Sequence, residues 1–433
     1  MKIIRADDTG FEEFFHKLRQ RGGGFSAELL ATVTDIISEV SVKGDEALFD
    51  YTAKFDGHQL TAATVEVTDK EKKEALALVA PSDLEVIKLA AGRIENYHRH
   101  QITQGYMVNS ESGVQLGQIV LPLQRVGIYA PGGKAFYPST LLMAAIPARI
   151  AGVEEIIVVS PSKDGRLNPL IAAAADLGGV RRIFKIGGAQ AIAALAYGTK
   201  TIPRVDKIVG PGNAYVAAAK KLVFGQVAID MIAGPSEVVI IADKTASASF
   251  VAADMLAQAE HDEMAAAVLL TSLEEMARDV FQQIDSQLQT LPRKKIMEES
   301  LGKYGAIIIT ADMAQAIELA NQFAPEHLEL MVENPAEILK QVRNAGSVFL
   351  GSFTPEALGD YIAGTNHILP TQGTAKFSSP LGVYDFYKRM SVLSFSQEAF
   401  GRLSQQTARF AKIEGLEAHA NSVIVRSNST KDE

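Results

Sequence analysis

From about Val114 onward, helical and strand patterns alternate along the chain, and this alternation is the feature that most constrains the fold. Long apolar helices lead into short strands, which read in order EEIIVVSPS, RRIFKIGG, DKIVGPGN, EVVIIAD, AAAVLLTS, GAIIIT and SVFLGS. Short, wholly apolar strands separated by helices are typical of a parallel sheet that is covered on both faces. The sequence therefore predicts an α/β protein.

The alternation runs in two series, one up to EVVIIAD and one after it, which suggests two related α/β halves. Residues 1 to about 105 have apolar positions at helical spacing and are predicted to be mostly helical. After Pro370 the alternation stops. We expect a helix from Ser396 to Phe410, then a short strand SVIVRS, then a disordered end SNSTKDE.

Composition restricts the class of protein. The 433 residues carry a net charge of -9 and include no cysteine. The acidic balance argues against a nucleic-acid or anionic-membrane partner. No apolar run reaches the ~18 residues of a membrane span, and the start lacks a signal peptide, so we expect a cytoplasmic enzyme. Without cysteine, a metal would have only N and O ligands, and a thiolate nucleophile is excluded.

The stretch NQFAPEHLEL, from Asn321 to Leu330, is the first candidate for chemistry. It follows an apolar helical pattern and places Glu326 and His327 side by side behind a proline. A carboxylate and an imidazole at one turn can serve as base and acid near neutral pH when burial tunes them. We therefore predict that Glu326 and His327 are catalytic.

Three junctions between a strand and a helix are rich in glycine: Gly187-Gly188-Ala189-Gln190, Gly210-Pro211-Gly212-Asn213 and Gly234-Pro235-Ser236. Backbone N–H groups at such junctions can bind an anion. The first two belong to one α/β half, so a dinucleotide phosphate could bridge them. None matches GxGxxG, and tight packing alone can also require glycine there.

A set of polar side chains in the C-terminal half has the donor atoms of a metal site. Gln258 and His261 share one face of a helical stretch, whereas Asp360 and His367 bracket a polar loop. Glu414 and His419 lie near the end of the chain. Taken singly, each histidine is explained as well by a structural role. Together, Gln, His, Asp and His would suit Zn²⁺ or Mn²⁺, although they span about 160 residues and spacing alone does not bring them together.

Eight segments in order along the chain make it closely resemble the histidinol dehydrogenase family, and the resemblance runs from about Ile36 to Arg426. They are VGIYAPGGKAFYPSTLLM, KIGGAQAIAALAYGT, KIVGPGNAYV, IDMIAGPSEV, MLAQAEHDE, FAPEHLEL, GDYIAGTNHILPT and EGLEAHANSV. The resemblance implies the four-electron oxidation of L-histidinol to L-histidine, with L-histidinaldehyde held between two reductions of NAD⁺. Histidine biosynthesis would be the pathway.

The resemblance also assigns residues. It implies one zinc per subunit on Gln258, His261, Asp360 and His419, the last supplied by the second subunit of a homodimer with a shared active site. Glu326 and His327 would carry the acid–base chemistry. The substrate would be surrounded by Ser236, His327, Glu414 and the four zinc ligands, with His367 as a further contact. Tyr129, Gln190 and Asn213 would bind NAD.

The fold implied by the resemblance is two incomplete Rossmann-like three-layer domains with helical terminal segments that entwine a dimer. The expected division is an N-terminal helical segment 1–24, a catalytic and metal-binding domain 25–128 with 236–380, an NAD domain 129–235, and a C-terminal dimerisation segment 381–433.

Two other functions remain open from the residues alone. A metal-dependent amide or ester hydrolase could use Glu326 to activate a metal-bound water, but it would leave the glycine junctions without a role. A non-catalytic binding protein of two α/β lobes would need export, for which the sequence shows no signal.

Overall fold

The computed structural model describes residues 1–21, 24–132, 137–162 and 165–429. By its internal contacts the chain divides into two units. Unit 1 comprises Met1–Gln101 and Leu123–Phe386, and unit 2 comprises Ile102–Pro122 and Tyr387–Glu433. Ser427–Ser429 of the predicted disordered end belong to the last helix, so the prediction is wrong for them, and the last four residues of that end lie outside the described residues.

The strands are mostly short, as the sequence predicts for this class. In chain order they are β1 (Lys2–Arg5), β2 (Tyr106–Glu111), β3 (Val114–Pro122), β4 (Arg125–Tyr129), β5 (Glu155–Val159), β6 (Arg182–Phe184), β7 (Lys207–Val209), β8 (Ala228–Ile229), β9 (Glu237–Ala242), β10 (Ala266–Thr271), β11 (Ala306–Ile309), β12 (His327–Met331), β13 (Ser347–Leu350) and β14 (Tyr387–Phe395).

The helices fill most of the chain between these strands. They are α1 (Phe11–Arg19), α2 (Ala27–Lys43), α3 (Asp45–Asp56), α4 (Asp69–Ala77), α5 (Pro81–Arg99), α6 (Pro138–Ala151), α7 (Pro169–Gly178), α8 (Gly188–Tyr197), α9 (Ala214–Val223), α10 (Ala248–Ala259), α11 (Glu274–Leu288), α12 (Lys294–Tyr304), α13 (Met313–Phe323), α14 (Pro335–Leu339), α15 (Glu356–Tyr361), α16 (Gln397–Ile413) and α17 (Glu417–Ser429). Short 3₁₀ turns occur at Thr374–Lys376 and Val383–Phe386.

Unit 1 contains two parallel sheets. The five-stranded sheet has the order β6-β5-β4-β7-β8, and the six-stranded sheet has the order β1-β11-β10-β9-β12-β13. Counted along the chain within each half, both sheets follow the order 3-2-1-4-5, and β1 is added beside β11. This shared order confirms the α/β prediction and supports two related Rossmann-like halves.

Helices cover the sheets because almost every strand residue is apolar. One face of the six-stranded sheet packs against α10, α11 and α12, and the other packs against α1 and α13. In the five-stranded sheet, one face packs against α2, α3, α8 and α9, and α6 contacts β4 and β5. Burial on both faces explains why these strands read as continuous apolar runs.

Unit 2 is a small antiparallel sheet with two helices. Its strand order is β14-β3-β2, and α16 packs against α17. The segment SVIVRS, expected to be a strand, lies within α17, so that prediction is wrong. Its β-branched residues favour a strand only weakly, and here contacts with α16 hold them in a helix.

Three other segments differ from the sequence prediction. The predicted helical segment 1–24 begins with a strand, β1, which pairs with β11. Strands β2 and β3, expected within the catalytic domain, pair with each other and with β14 in unit 2. Helix α2, also expected there, packs on the five-stranded sheet through Val33, Ile36 and Val40. In all three segments, contacts with distant parts of the chain determine the position of the element, and local sequence patterns do not indicate those contacts. The strand in EVVIIAD, expected to end the first series, is β9 and pairs with β10 and β12 in the six-stranded sheet, so that part of the prediction is wrong. The bounds of the two domains stay a prediction.

No helix within the described ranges has both the length and the apolar character needed to cross a bilayer.

Candidate active site

The paired residues Glu326 and His327 lie where β12 begins. Helix α13 ends at Phe323, and Ala324 adopts a left-handed conformation with φ 54° that ends the helix. Pro325 follows, and His327 then pairs in register with Val238 of the neighbouring strand β9. The pair therefore sits at the amino edge of the six-stranded sheet, next to Ser236 at the start of β9.

The carboxyl group of Glu326 is buried and held by one backbone hydrogen bond. The N–H of Glu237 donates to its Oε2 at 3.0 Å. Burial raises the pKa of Glu326 to about 7, because the surrounding protein disfavours the charged form more than the nearby His327 favours it. A carboxyl group with a pKa in this range can take up and release a proton near neutral pH.

The imidazole of His327 is buried among carboxylates. Its Nδ1 lies 3.2 Å from the carbonyl oxygen of Glu237, which fixes Nδ1 as the donor. Burial by itself lowers the pKa of His327, but the negative charges of Glu356, Glu326 and Asp360 outweigh it and raise that pKa well above the usual value. Nε2 has no hydrogen-bond partner among the described residues and lies 3.7 Å from Oδ1 of Asp360.

A buried ion pair holds Glu237, the residue whose backbone contacts both catalytic candidates. Arg21 donates to Oε2 of Glu237 at 2.7 Å and also to the carbonyl oxygens of Pro235 and Ser236. The other oxygen of Glu237 accepts the backbone N–H of Gln372 at 2.7 Å. The N–H of Glu237 contacts Glu326, and its C=O contacts His327. The Arg21–Glu237 ion pair therefore helps to fix the positions of both side chains. Sequence analysis missed both Arg21 and Glu237, since no local pattern links them.

The predicted metal ligands His261 and Asp360 come together, and Glu356 joins them. Ligand atoms of His261, Glu356 and Asp360 all lie within 4.8 Å of one another. Glu356 and Asp360 are four residues apart on α15, so they share one face of that helix. Sequence analysis missed Glu356, although this spacing of two acids in an apolar helix was a usable signal.

Gln258 completes this cluster from α10. Its side chain is 0% exposed, and its amide nitrogen, when turned toward Glu356, donates to the two carboxylate oxygens at 3.1 and 2.9 Å. Burial raises the pKa of Asp360, but the imidazoles of His327, His367 and His261 outweigh it and hold that pKa below the usual value. His261 is exposed, so the cluster is open to solvent on its side.

His367 connects the cluster to the other α/β half. Its Nε2 lies 3.0 Å from the hydroxyl of Thr140 on α6, and its Nδ1 lies 3.8 Å from Oδ1 of Asp360. The neighbouring Asn366 donates to the carbonyl oxygen of Met143 on the same helix at 2.7 Å. These contacts place His367 within the cluster, where sequence analysis had expected a substrate contact.

Two predicted site residues belong to unit 2. Glu414 directly follows α16 as its C-cap, His419 lies on α17, and both side chains are exposed. Their predicted roles, as a substrate contact and as a zinc ligand from a second subunit, stay predictions.

The predicted NAD residues Tyr129, Gln190 and Asn213 lie at the carboxyl edge of the five-stranded sheet. Tyr129 ends β4, Gln190 follows β6 on α8, and Asn213 follows β7. Strands β4 and β7 are neighbours where the strand order reverses, which is the usual ligand position in such sheets. Gln190 is 1% exposed, and neither amide atom has a partner in the described part of the chain.

Tyr129 and Asn213 also have structural contacts. The hydroxyl of Tyr129 accepts the N–H of Gly188 at 3.2 Å, and burial raises its pKa to about 12. The side-chain oxygen of Asn213 caps α9 by accepting the N–H groups of Tyr215 and Val216. Both residues thus shape the turns on which a dinucleotide would lie.

The backbone of the turn at Gly210 is bonded to both members of a buried ion pair, Lys220 and Asp230. The N–H of Gly210 donates to Asp230 at 2.7 Å, and its carbonyl oxygen accepts from Lys220 at 2.9 Å. Lys220 and Asp230 also contact each other directly. Gly210 has φ 105°, and a Cβ there would lie 2.3 Å from the carbonyl oxygen of Tyr129, so only glycine fits.

Comparisons with known proteins agree with this arrangement. The sequence model of the family described as histidinol dehydrogenase matches residues 19–427. Histidinol dehydrogenases of Syntrophotalea carbinolica and Aquifex aeolicus are each 51% identical, and each alignment covers 98% of this chain and 99% of the relative. A crystal structure of histidinol dehydrogenase from Elizabethkingia anophelis matches with a TM-score of 0.92 and 38% identity, covering 99% of this chain and 98% of that one. The chain therefore belongs to the histidinol dehydrogenase family.

Proposed function

We propose that this protein oxidises L-histidinol through L-histidinaldehyde to L-histidine, the last step of histidine biosynthesis, using two NAD⁺ and one zinc per subunit. The observation that carries the proposal is the buried pair Glu326–His327, which lies directly beside an N/O donor cluster in a chain of this family. The comparisons favour this reading over a hydrolase.

The donor cluster fits a zinc ion. Imidazole and carboxylate groups are common zinc ligands, and the ligand atoms of His261 and Asp360 already lie close together. Gln258 would add its amide oxygen, and His419 of a second subunit would complete the set. Bound there, zinc would hold the substrate through its imidazole and amine nitrogens and orient it.

The carboxyl edge of the five-stranded sheet fits NAD. The buried, unpartnered amide of Gln190 lies on α8 directly after β6, at the edge where dinucleotides bind in sheets of this strand order. When bound, NAD⁺ would supply the hydride acceptor for both oxidations.

His327 is suited to take the hydroxyl proton of histidinol. Its Nδ1–H is committed to the carbonyl of Glu237, so Nε2 is the atom available for proton transfer. The three carboxylates around it favour the protonated ring. Neutralisation of Asp360 by a bound cation would weaken one of these interactions and lower the pKa of His327 toward the range of a general base.

Glu326 is suited to activate water for the second oxidation. An aldehyde must first be hydrated, and the hydration step needs a base beside the bound carbonyl. With a pKa of about 7, the Glu326 carboxylate can accept the proton from the attacking water. A covalent route through a thiol is excluded, because the chain has no cysteine.

The stoichiometry of products tests this function. Purified protein with L-histidinol and NAD⁺ should form two NADH per histidine. A zinc chelator should stop the reaction, and added zinc should restore it. Absence of NADH together with cleavage of amide substrates would favour a hydrolase instead. The homodimer and the cytoplasmic location form part of the proposal and are tested separately by sedimentation and by fractionation.

A further inference from the structure

We propose that Glu356 is a positioning residue that turns the amide of Gln258 so that its oxygen, and not its nitrogen, faces the metal. This inference rests on the proposed function, because it concerns the same metal site. It assigns a second role to a buried carboxylate whose charge also acts on His327.

The hydrogen-bond geometry supports only one orientation of the amide. With its nitrogen toward Glu356, Gln258 donates to Oε1 at 3.1 Å and to Oε2 at 2.9 Å. In the reverse orientation its oxygen would face two carboxylate oxygens and find no donor. Both side chains are buried, Gln258 at 0% and Glu356 at 3% exposed, so water cannot compensate for the wrong orientation.

The orientation matters because only the amide oxygen is a metal ligand. An amide free to rotate would present its NH₂ group to a cation part of the time, and that group repels it. A carboxylate has no proton to donate and therefore accepts only from the NH₂ group.

Glu356 is itself held by the strand that carries the catalytic pair. Its backbone N–H donates to Oε1 of Glu329 at 2.9 Å. Glu329 lies two residues after His327 on β12, so the two side chains point to the same face of the strand. Asp360 follows Glu356 one turn later on α15. One short helix thus supplies both a ligand and the residue that orients a second ligand.

A different role for Glu356 is that of a direct metal ligand, since its carboxylate lies within 4.8 Å of ligand atoms of His261 and Asp360. The two roles differ in one respect. A positioning residue acts only through Gln258, whereas a ligand contributes whether or not Gln258 is present. A double-mutant cycle separates them.

The experiment measures zinc affinity by competition with a chelating dye in wild type, Glu356→Asp, Gln258→Leu and the double variant. Glu356→Asp keeps the charge but withdraws the carboxylate from the amide. It should weaken zinc binding by about 10- to 100-fold. In the Gln258→Leu background the same change should alter the affinity less than about twofold. An equal loss in both backgrounds would overturn the proposal, because it would indicate a direct ligand or a packing role.

A spectroscopic readout and matched controls complete the test. In Co²⁺-loaded protein, Glu356→Asp should shift the visible absorption toward that of Gln258→Leu, and an unchanged spectrum would contradict the proposal. Glu337→Asp, an exposed glutamate on α14, should leave affinity and spectrum unchanged. If Glu356→Asp does not fold, the cycle is repeated with the isosteric Glu356→Gln. Wild type that binds no zinc would overturn the metal site as a whole, whereas zinc binding without coupling would overturn this inference alone.

Discussion

At the scale of single residues, the backbone of Glu237 supports both catalytic candidates. Its N–H donates to Glu326, and its C=O accepts from His327, so the two side chains are held by one residue. Gly346 allows the neighbouring chain to approach this point, because a Cβ there would lie 2.6 Å from the carbonyl oxygen of Glu326. The dyad is thus fixed by backbone contacts, which resist change better than flexible side chains do.

Removal of the Glu326 charge should stop catalysis without removing the metal. Glu326→Gln keeps the shape of the side chain but loses the base, so kcat should fall by about 10² to 10⁴. Zinc content should stay at the wild-type level. By contrast, His261→Asn should lose zinc and activity together. NADH formation and metal analysis of the purified variants measure both effects.

Glu333→Gln, an exposed glutamate nearby in sequence, is the control and should behave as wild type. A Glu326→Gln variant that turns over at the wild-type rate would contradict the assignment.

His98 should make the protein less stable in acid. It is fully buried, with Nδ1 at 2.8 Å from the Ile94 carbonyl, and burial lowers its pKa. Below pH ~6.5 the unfolded chain takes up a proton that the folded protein does not. The free energy of unfolding therefore falls as pH falls, by at most about 1.4 kcal/mol per pH unit, until the folded pKa is reached.

Urea unfolding between about pH 5 and 7.5 measures this slope. His98→Gln should flatten it, while His100→Gln, at an exposed neighbour, should not. Parallel curves for His98→Gln and wild type would show that another group controls the acid response.

At the scale of elements, the candidate residues of the two halves lie at opposite edges of their sheets. The catalytic candidates lie where β12 begins, whereas the NAD candidates lie at the end of β4 and after β6 and β7. Only the second position agrees with the usual rule for open parallel sheets. The sequence could therefore indicate this carboxyl edge as a candidate anion-binding edge from its glycine junctions. It could not indicate the catalytic edge, which depends on where α13 ends.

The strength of local patterns explains which elements were predictable. The seven apolar runs were predictable as strands because burial on both faces of a sheet requires a continuous apolar run, which is visible in the sequence. Strand β12 was hidden, since HLELM carries two polar residues that face the site. The pairing of Glu356 with Gln258 was not predictable for a different reason, because Gln258 is almost a hundred residues away on α10. Contacts between distant elements leave no local pattern.

The buried ion pair Lys220–Asp230, which bonds the backbone of Gly210, should be needed for both stability and cofactor binding. Lys220→Met leaves Asp230 buried without its cation, which should lower the free energy of unfolding by about 3–5 kcal/mol. The loosened turn should also raise KM for NAD⁺ more than KM for histidinol. Urea unfolding and steady-state kinetics measure the two effects.

Lys221→Met, at the exposed adjacent position, is the matched control and should change stability by less than about 0.5 kcal/mol. Equal effects of the two substitutions would mean that the Gly210 turn does not depend on Lys220.

At the scale of the whole molecule, two halves with the same strand order carry different candidate residues. One presents glycine turns at its carboxyl edge, and the other presents acids and imidazoles at its amino edge. The contact of Thr140 with His367 joins them within unit 1. The remaining predicted residues, Glu414 and His419, lie on unit 2, where exposed apolar side chains such as Leu393, Phe395 and Phe410 are consistent with a partner subunit.

Mixed dimers test whether the site is shared. If His419 serves the neighbouring subunit, a dimer of one Glu326→Gln chain and one His419→Asn chain contains one intact site and one doubly defective site. Random exchange makes half of the dimers mixed, so about one quarter of wild-type activity should return. Activity after co-refolding measures this. No recovery after proven exchange would place each site within a single chain.

The most direct measurement is a crystal structure with zinc and L-histidinol, with the metal located by anomalous scattering at the zinc edge. We expect one peak within about 2.0–2.2 Å of donor atoms of Gln258, His261, Asp360 and the His419 of a second subunit. Glu326 and His327 should face the bound alcohol. A zinc peak elsewhere in the molecule, with Glu326 and His327 remote from the substrate, would contradict the assignment.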